Sequence, residues 1–220
     1  MAFSDWDQET RNNVNITPNT TVPLEGLQSL EIEKFTGGTV TAGGSVVPSD
    51  ASGLTKGLTA GRMRTQMQLL SGLASTGGNA GIFFMVADLT EDPFALDDLY
   101  SVHVHGLGGI RIGKHSNGLI SSPTNLAVTS NGEIADVTSP FTLEVMWFYD
   151  IPEFNGVRII VKKGLATDYS DLTVVSGLDI IDATSPLSVS NAEGLAYFTT
   201  SGVNNVWLFD RTEFYSVDFV

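Results

Sequence analysis

Gly61-Arg-Met-Arg-Thr-Gln-Met-Gln-Leu-Leu alternates long apolar with polar side chains, and Gly81-Ile-Phe-Phe-Met-Val-Ala-Asp follows as a nearly continuous apolar run. Side chains of a strand point to opposite faces with period two, so the first stretch places one set on a core and the other in water. The second, bounded by turn residues, predicts a strand covered on both faces. The chain around them repeats the theme. Leu30-Glu-Ile-Glu-Lys-Phe, Thr39-Val-Thr and Ser45-Val-Val precede them, and Tyr100-Ser-Val-His-Val-His and Gly108-Gly-Ile-Arg-Ile-Gly-Lys come after. Phe141-Thr-Leu-Glu-Val-Met-Trp-Phe-Tyr and Val157-Arg-Ile-Ile-Val-Lys-Lys predict a hairpin around Pro152 to Gly156. Leu195-Ala-Tyr-Phe-Thr-Thr and Val206-Trp-Leu-Phe-Asp-Arg-Thr-Glu-Phe-Tyr-Ser-Val complete the set. No stretch has helical periodicity with caps. A dozen or so short strands with frequent turns predict an all-β, two-sheet antiparallel sandwich or jelly roll.

Residues 1–23 are rich in Asn, Thr and Pro and hold few core positions, so they are expected to form an extended N-terminal arm before a sandwich domain at 24–220. Phe3 and Trp6 mark that arm as partner-binding, since aromatics in a tail are costly unless they dock. The N-terminus lacks the basic and apolar regions of a secretory signal, and no apolar stretch reaches the ~20 residues that span a bilayer. The expectation is synthesis in a cytoplasm, exit by a non-secretory route such as lysis, and no membrane insertion.

The chain has 220 residues, 42% of them hydrophobic, with 23 Gly and 8 Pro, enough for one large core with many tight turns. Cysteine is absent, which excludes disulfides, zinc-thiolate sites and a cysteine nucleophile. Acidic residues number 25 against 11 basic, a net charge of −14. That field disfavours nucleic acid and anionic membranes and keeps the surface soluble. Lys162-Lys163 is the one basic doublet, and it makes no nucleic-acid footprint.

The order of Arg62-Met-Arg-Thr-Gln-Met-Gln, Ala80-Gly-Ile-Phe-Phe-Met-Val-Ala-Asp, Leu99-Tyr-Ser-Val-His-Val, Gly109-Ile-Arg-Ile-Gly-Lys, Phe141-Thr-Leu-Glu-Val-Met-Trp, Gly156-Val-Arg-Ile-Ile-Val and Phe209-Asp-Arg-Thr-Glu-Phe-Tyr resembles a concanavalin A-like jelly roll of the laminin-G type. The resemblance spans Leu24 to Val220 and implies two stacked antiparallel sheets. It leaves function open, because that fold hosts lectins, glycosidases, adhesion modules and viral structural proteins.

Candidate chemistry is sparse. Glu31 and Glu33 project from one strand face, as paired carboxylates of a glycosidase would, but the central Asp and third acid of the fold's hydrolases are missing. They read as a solvated face. His103 and His105 have the spacing of a metal-binding His-x-His pair, yet no Glu follows as in cupins and His115 has no assigned position, so both rings read as a surface or subunit contact. The loop Asp88-Leu-Thr-Glu-Asp-Pro-Phe-Ala-Leu-Asp-Asp offers Asp88, Asp92, Asp97 and Asp98 to calcium, as rim sites in laminin-G relatives do, or it simply carries solubilising charge. Trp147 and Tyr149 end a strand and are candidate glycan contacts, although such aromatics are more often core. Nucleophile elbows and phosphate loops are absent.

The combined expectation is a non-enzymatic structural protein of a tailed-bacteriophage virion: a capsid decoration, collar or tail-associated protein. In it the arm holds neighbouring copies and other virion proteins, while the jelly roll faces outward and adheres to host cell-surface glycan. The alternative is a soluble carbohydrate-binding, lectin-like module, with calcium as its cofactor. A glycoside hydrolase or lyase is the third reading.

Overall fold

The computed structural model describes residues 6–11, 14–21, 29–34, 42–48, 57–71, 78–87, 98–116, 118–119, 123–149, 155–166, 168–199 and 205–217. They form fourteen strands and no helix. In chain order these are β1 (Trp6–Arg11), β2 (Val14–Asn19), β3 (Ser29–Lys34), β4 (Ala42–Pro48), β5 (Ala60–Ser71), β6 (Gly78–Phe84) and β7 (Leu99–His105). The rest are β8 (Ile110–His115), β9 (Thr124–Val128), β10 (Phe141–Tyr149), β11 (Val157–Gly164), β12 (Thr173–Asp182), β13 (Gly194–Thr199) and β14 (Val206–Ser216). One seven-stranded sheet, the back sheet, runs β1-β4-β13-β6-β7-β8-β9. The other, the front sheet, runs β12-β11-β10-β5-β14-β3-β2, and all pairings in both are antiparallel. This is the expected all-β jelly-roll sandwich.

The inner faces meet in one apolar layer. Met63, Met67 and Leu69 of β5 bury beside Val145 and Trp147 of β10 and Trp207 and Phe209 of β14, facing Phe84, Tyr100 and Val102 of the back sheet. Phe84 stacks between Tyr100 and Trp147, with ring centroids 5.6 and 4.8 Å away. From Gly61 to Leu69, strand β5 is buried at its odd positions because its period-two pattern matches the pleat, as its sequence predicts.

The described part of residues 1–23 forms two strands, β1 and β2, one in each sheet. Strand β1 pairs with β4 at an edge of the back sheet, and β2 pairs with β3 at an edge of the front sheet. Val14 and Ile16 enter the core, so a polar segment hides two core positions of correct alternation.

The two outer faces differ. On the back sheet, Phe83, Leu99 and Ala196 pack under Val86, Leu119 and Ala192 as a second apolar cluster, so connecting segments cover that side. The front sheet instead presents half-buried polar side chains from its central strands.

A polar clasp closes one end between the sheets. Asp182 at the end of β12 accepts hydrogen bonds from Tyr100 Oη at 2.6 Å and Lys114 Nζ at 2.8 Å, and the Thr184 N–H donates to its other oxygen at 3.1 Å. Burial alone pushes this carboxyl upward, but the bonds from Lys114, Tyr100 and Thr184 outweigh it and hold its pKa below the ordinary range. Asp182→Ala removes the acceptor of the Tyr100 hydroxyl and the counter-charge of Lys114, which keeps only the Thr184 and Ser185 carbonyls, and is expected to cost about 3 kcal/mol of unfolding free energy. A depressed folded pKa means that the contribution is full above the unfolded carboxyl pKa and disappears as pH falls through the folded one. Urea unfolding of wild type and Asp182→Asn as a function of pH should therefore show the gap closing only in acid.

Candidate functional site on the outer face of the front sheet

Strand parity builds the site. With Met63 and Met67 inward, Arg62, Arg64 and Gln66 must stand on the outer face of β5. Antiparallel register then sets them in rows across four strands. One row holds Lys162 of β11, Glu144 of β10, Arg64 of β5 and Glu213 of β14. The next holds Ile160, Met146, Arg62 and Tyr215. A charged row thus lies beside a row with an apolar half and an aromatic end.

Glu144 is buried at the centre, its side chain 2% exposed. Lys162 Nζ lies 3.0 Å from one of its oxygens, and Arg62 Nε and Arg64 Nη1 each lie 3.9 Å from the other. Arg64 donates through Nε and Nη2 to one oxygen of Glu213, at 2.9 and 2.6 Å, and Tyr215 Oη donates to the same oxygen. Burial works against the Arg64 charge, but the hydrogen bonds and charge of Glu213 outweigh it and raise its pKa above the ordinary value. Burial would likewise raise Glu213, but the bonds from Tyr215 and Arg64 outweigh it and hold the carboxyl below its usual range. The hydrogen bond to Glu213, then burial, raises Tyr215 above an ordinary phenol.

Aromatic rings frame the guanidinium groups. Arg62 lies over the Tyr215 ring at 4.3 Å, while Arg64 and Arg211 lie 4.0 and 4.7 Å from the Tyr169 ring centre. Tyr169, in the β11–β12 connection, donates its hydroxyl to the Arg211 carbonyl. Four of the eleven Lys and Arg residues, Arg62, Arg64, Lys162 and Arg211, therefore converge here in a chain of net charge −14. The face can hold anionic groups on its cations and a sugar ring against Tyr215 and Met146.

Of the described residues singled out from the sequence, Glu31 and Glu33 share this face and the others lie elsewhere. Trp147 is fully buried, its indole N–H donating to the Leu58 carbonyl at 2.7 Å, so it belongs to the core and touches no glycan. Tyr149 packs half-buried against the same core. Asp88, Asp92, Asp97 and Phe3 lie outside the described residues; Asp98 is exposed and its carbonyl accepts from the Ala87 N–H at 2.9 Å. Of Trp6, the backbone pairs with Pro48 in the β1–β4 ladder. No three His, Asp or Glu side chains are grouped to hold a metal among the described residues.

His103 and His115 sit buried around Ser101, whose Oγ lies 3.2 Å from His103 Nδ1 and 2.8 Å from His115 Nε2. Burial, then His115, Arg111 and His105, drives the His103 pKa well below normal, which fits a neutral interior ring rather than a surface contact. His105 is half-buried at the end of β7, its pKa lowered by burial and then by Arg111. Glu31 and Glu33 do stand on the outer face of the front sheet, on β3. Asn19 Nδ2 donates to Glu31 at 2.5 Å, and burial, then Glu31, raises the Glu33 pKa.

No family model matches the chain, and no curated protein matches it in sequence. Solved structures do match its fold. An endo-β-1,4-glucuronan lyase from the fungus Trichoderma reesei superposes with a TM-score of 0.61 at 13% identity, covering 98% of this chain and 92% of its own. The Ca2+-bound exoplasmic/lumenal domain of VIP36 gives 0.57 at 13%, with 99% and 86% covered. The alginate lyase vAL-1 from Chlorella virus gives 0.58 at 10%, with 97% and 94% covered. The fold is that of the concanavalin A-like jelly rolls, as the sequence resemblance implies. The expectation of a non-enzymatic protein is corrected by the same comparison: lyases are built on this fold, so a sequence without a familiar nucleophile motif does not exclude chemistry.

The Tyr215–Glu213 contact has a direct spectroscopic consequence. Removing the acceptor charge should bring the Tyr215 phenol down toward the ordinary tyrosine pKa, because both the hydrogen bond and the negative charge act in the upward direction. Ultraviolet titration of Glu213→Gln, with Tyr215→Phe subtracted to isolate this phenol, is expected to show ionisation at lower pH than in wild type.

Proposed function

We propose that the chain binds an anionic polysaccharide along the outer face of the front sheet. The observation that carries this reading is the convergence of Arg62, Arg64, Lys162 and Arg211 beside the Tyr215 ring and the half-buried Met146 and Ile160. Carboxylates spaced along a chain of sugars need fixed cations for the charges and flat or aliphatic surface for the rings, and adjacent rows offer both. The overall charge of −14 opposes any polyanion at a distance. Screening decides between the two effects: the Debye length is about 8 Å at physiological ionic strength, so contacts at ion-pair distance dominate over charge on the far side of the domain. Glucuronan and alginate are polyuronates, and the lyases named for them share this fold; VIP36, also a structural match, was solved with a mannose glycan bound.

A lyase reading of the same face rests on Tyr215, a residue 38% exposed whose ring lies under Arg62 and whose hydroxyl donates to Glu213. Elimination from a uronate removes the proton next to the carboxylate and breaks the bond to the neighbouring glycosidic oxygen. Glu213 would receive that proton, cations would stabilise the charge on the carboxylate, and the neighbouring Tyr215 phenol would give its own proton to the departing oxygen. A place on a phage particle is a further proposal, for which the edge strand β1 offers a route: the N-terminal segment would pair through it with a neighbouring subunit, in a homo-oligomer. Cosedimentation with intact particles at fixed stoichiometry tests that proposal.

Titration calorimetry with oligoglucuronate, oligoalginate and a neutral oligomannose, in calcium and in chelator, tests the binding reading. Acidic oligomers should bind, and Arg62→Ala, Arg64→Ala or Lys162→Ala should each weaken them by about tenfold or more, as loss of a charge-assisted bond does. Binding of neutral glycan alone, or indifference to all three substitutions, overturns the assignment. Formation of unsaturated uronyl ends that stops in Tyr215→Phe would identify the lyase.

A further inference from the structure

The buried carboxylate in the middle of the face is the feature that anion binding by itself leaves unexplained. A surface made to attract polyanions gains nothing from a central negative charge, and an acid with a side chain 2% exposed on the outer side of a sheet is costly to desolvate. Glu144 is nonetheless ringed by cations on three sides. Register puts Lys162 opposite it on β11 and Arg64 opposite it on β5, and Arg62 reaches it from the next row. Arg64 is further held by Glu213, and Arg62 by the Tyr215 ring, whereas Lys162 has its ion pair with Glu144.

We propose that Glu144 is the positioning residue of this face: it fixes Arg62, Arg64 and Lys162 at one spacing, so that the face reads the separation of carboxylates along a sugar chain rather than attracting any polyanion. The inference rests on the anionic-glycan reading above. Long Lys and Arg side chains have large rotamer freedom, and ordering them on the ligand would cost affinity at each one. A buried anion bearing on all three orders them before the ligand arrives. Its charge also cancels one of theirs, which lowers the attraction for polyanions of the wrong geometry.

The two effects of removing the charge have opposite signs, and this makes the role testable. In Glu144→Gln the net positive charge of the face rises by one while the common partner of the three cations is lost. Calorimetry would compare wild type and variant against oligoglucuronate and against poly-glutamate, a polyanion without sugar rings, at several salt concentrations. The expected result is oligoglucuronate weakened by about tenfold or more, poly-glutamate tightened, and a steeper salt dependence for both. Equal or stronger binding of both ligands overturns the positioning role while leaving the glycan reading intact. Failure of wild type to bind oligoglucuronate at all overturns both. Should Glu144→Gln not fold, Glu144→Asp keeps the charge but draws the carboxylate back by one methylene from Lys162, Arg62 and Arg64. It is expected to lose oligoglucuronate affinity by more than poly-glutamate affinity, and an equal loss for the two is the overturning result.

Discussion

Gly61 lies flat against the indole of Trp147: a Cβ at that position would come within 2.5 Å of the ring. Trp147 in turn donates its N–H to Leu58, three residues before Gly61 in sequence, so one buried aromatic grips both sides of the entry to β5. This contact locks the register of β5 against β10, where Gly61 pairs with Trp147 and Met63 with Val145. Because side chains alternate with period two, a slip of one residue would exchange the two faces of the strand. Met63 and Met67 would leave the core and Arg62 and Arg64 would enter it. Core and site therefore have a single cause.

From that register follows the electrostatic pattern. Lys162, Glu144, Arg64 and Glu213 alternate in sign across four strands, so every neighbouring pair in the row attracts. The half-exposed Arg64–Glu213 pair contributes little stability, typically under 1 kcal/mol, and the attraction around buried Glu144 is largely offset by its desolvation. Their value lies in order: each guanidinium is held between a carboxylate and a ring, and a face so arranged meets a ligand without first having to settle. On the back sheet, by contrast, Phe83 and Leu99 of the outer side are covered by apolar connecting segments.

The sequence displays the sandwich well and the face poorly. Strands with clean alternation, such as β5, β7 and β10, are legible because burial on one side imposes the pattern. Strands β9 and β12 are not, because they lie at sheet edges: Val128, Val174 and Ile181 are exposed there, and Gly177 takes a left-handed φ of 79° within β12. In residues 1–23 polar composition dominates, and only the short Val14-Asn-Ile16 alternation carries a core signal. For the site, a search by proximity along the chain finds only the Lys162-Lys163 doublet, and those two side chains diverge, with Lys163 bonded to Glu133 instead. The cations that converge come from β5, β11 and β14, more than 140 positions apart at the extremes, and no local motif could group them. The alternating Arg62 and Arg64 were visible; their partners were not.

Strand β14 shows how finely the face depends on parity. Between Asp210 and Glu213 the strand advances three residues while its partner advances two, from Gln66 to Arg64. One extra residue flips the side-chain phase of everything beyond it. Without this bulge Phe214 would point into water and Glu213 and Tyr215 into the core; with it, Phe214 packs on the core and the Glu213–Tyr215 pair joins Arg62 and Arg64 outside. The bulge is held in a left-handed conformation at Arg211, φ 46°, and its contact Tyr169 has φ 63°, each a strain of order 1 kcal/mol or more for a residue with a side chain. The Tyr169 hydroxyl bond to Arg211, the stacking of Arg211 on that ring and the Thr65 hydroxyl bond to the Asp210 carbonyl offset it. Strain that would be expelled from a purely structural strand is retained where it turns a glutamate and a tyrosine toward the patch of solvent that Arg62 and Arg64 already face.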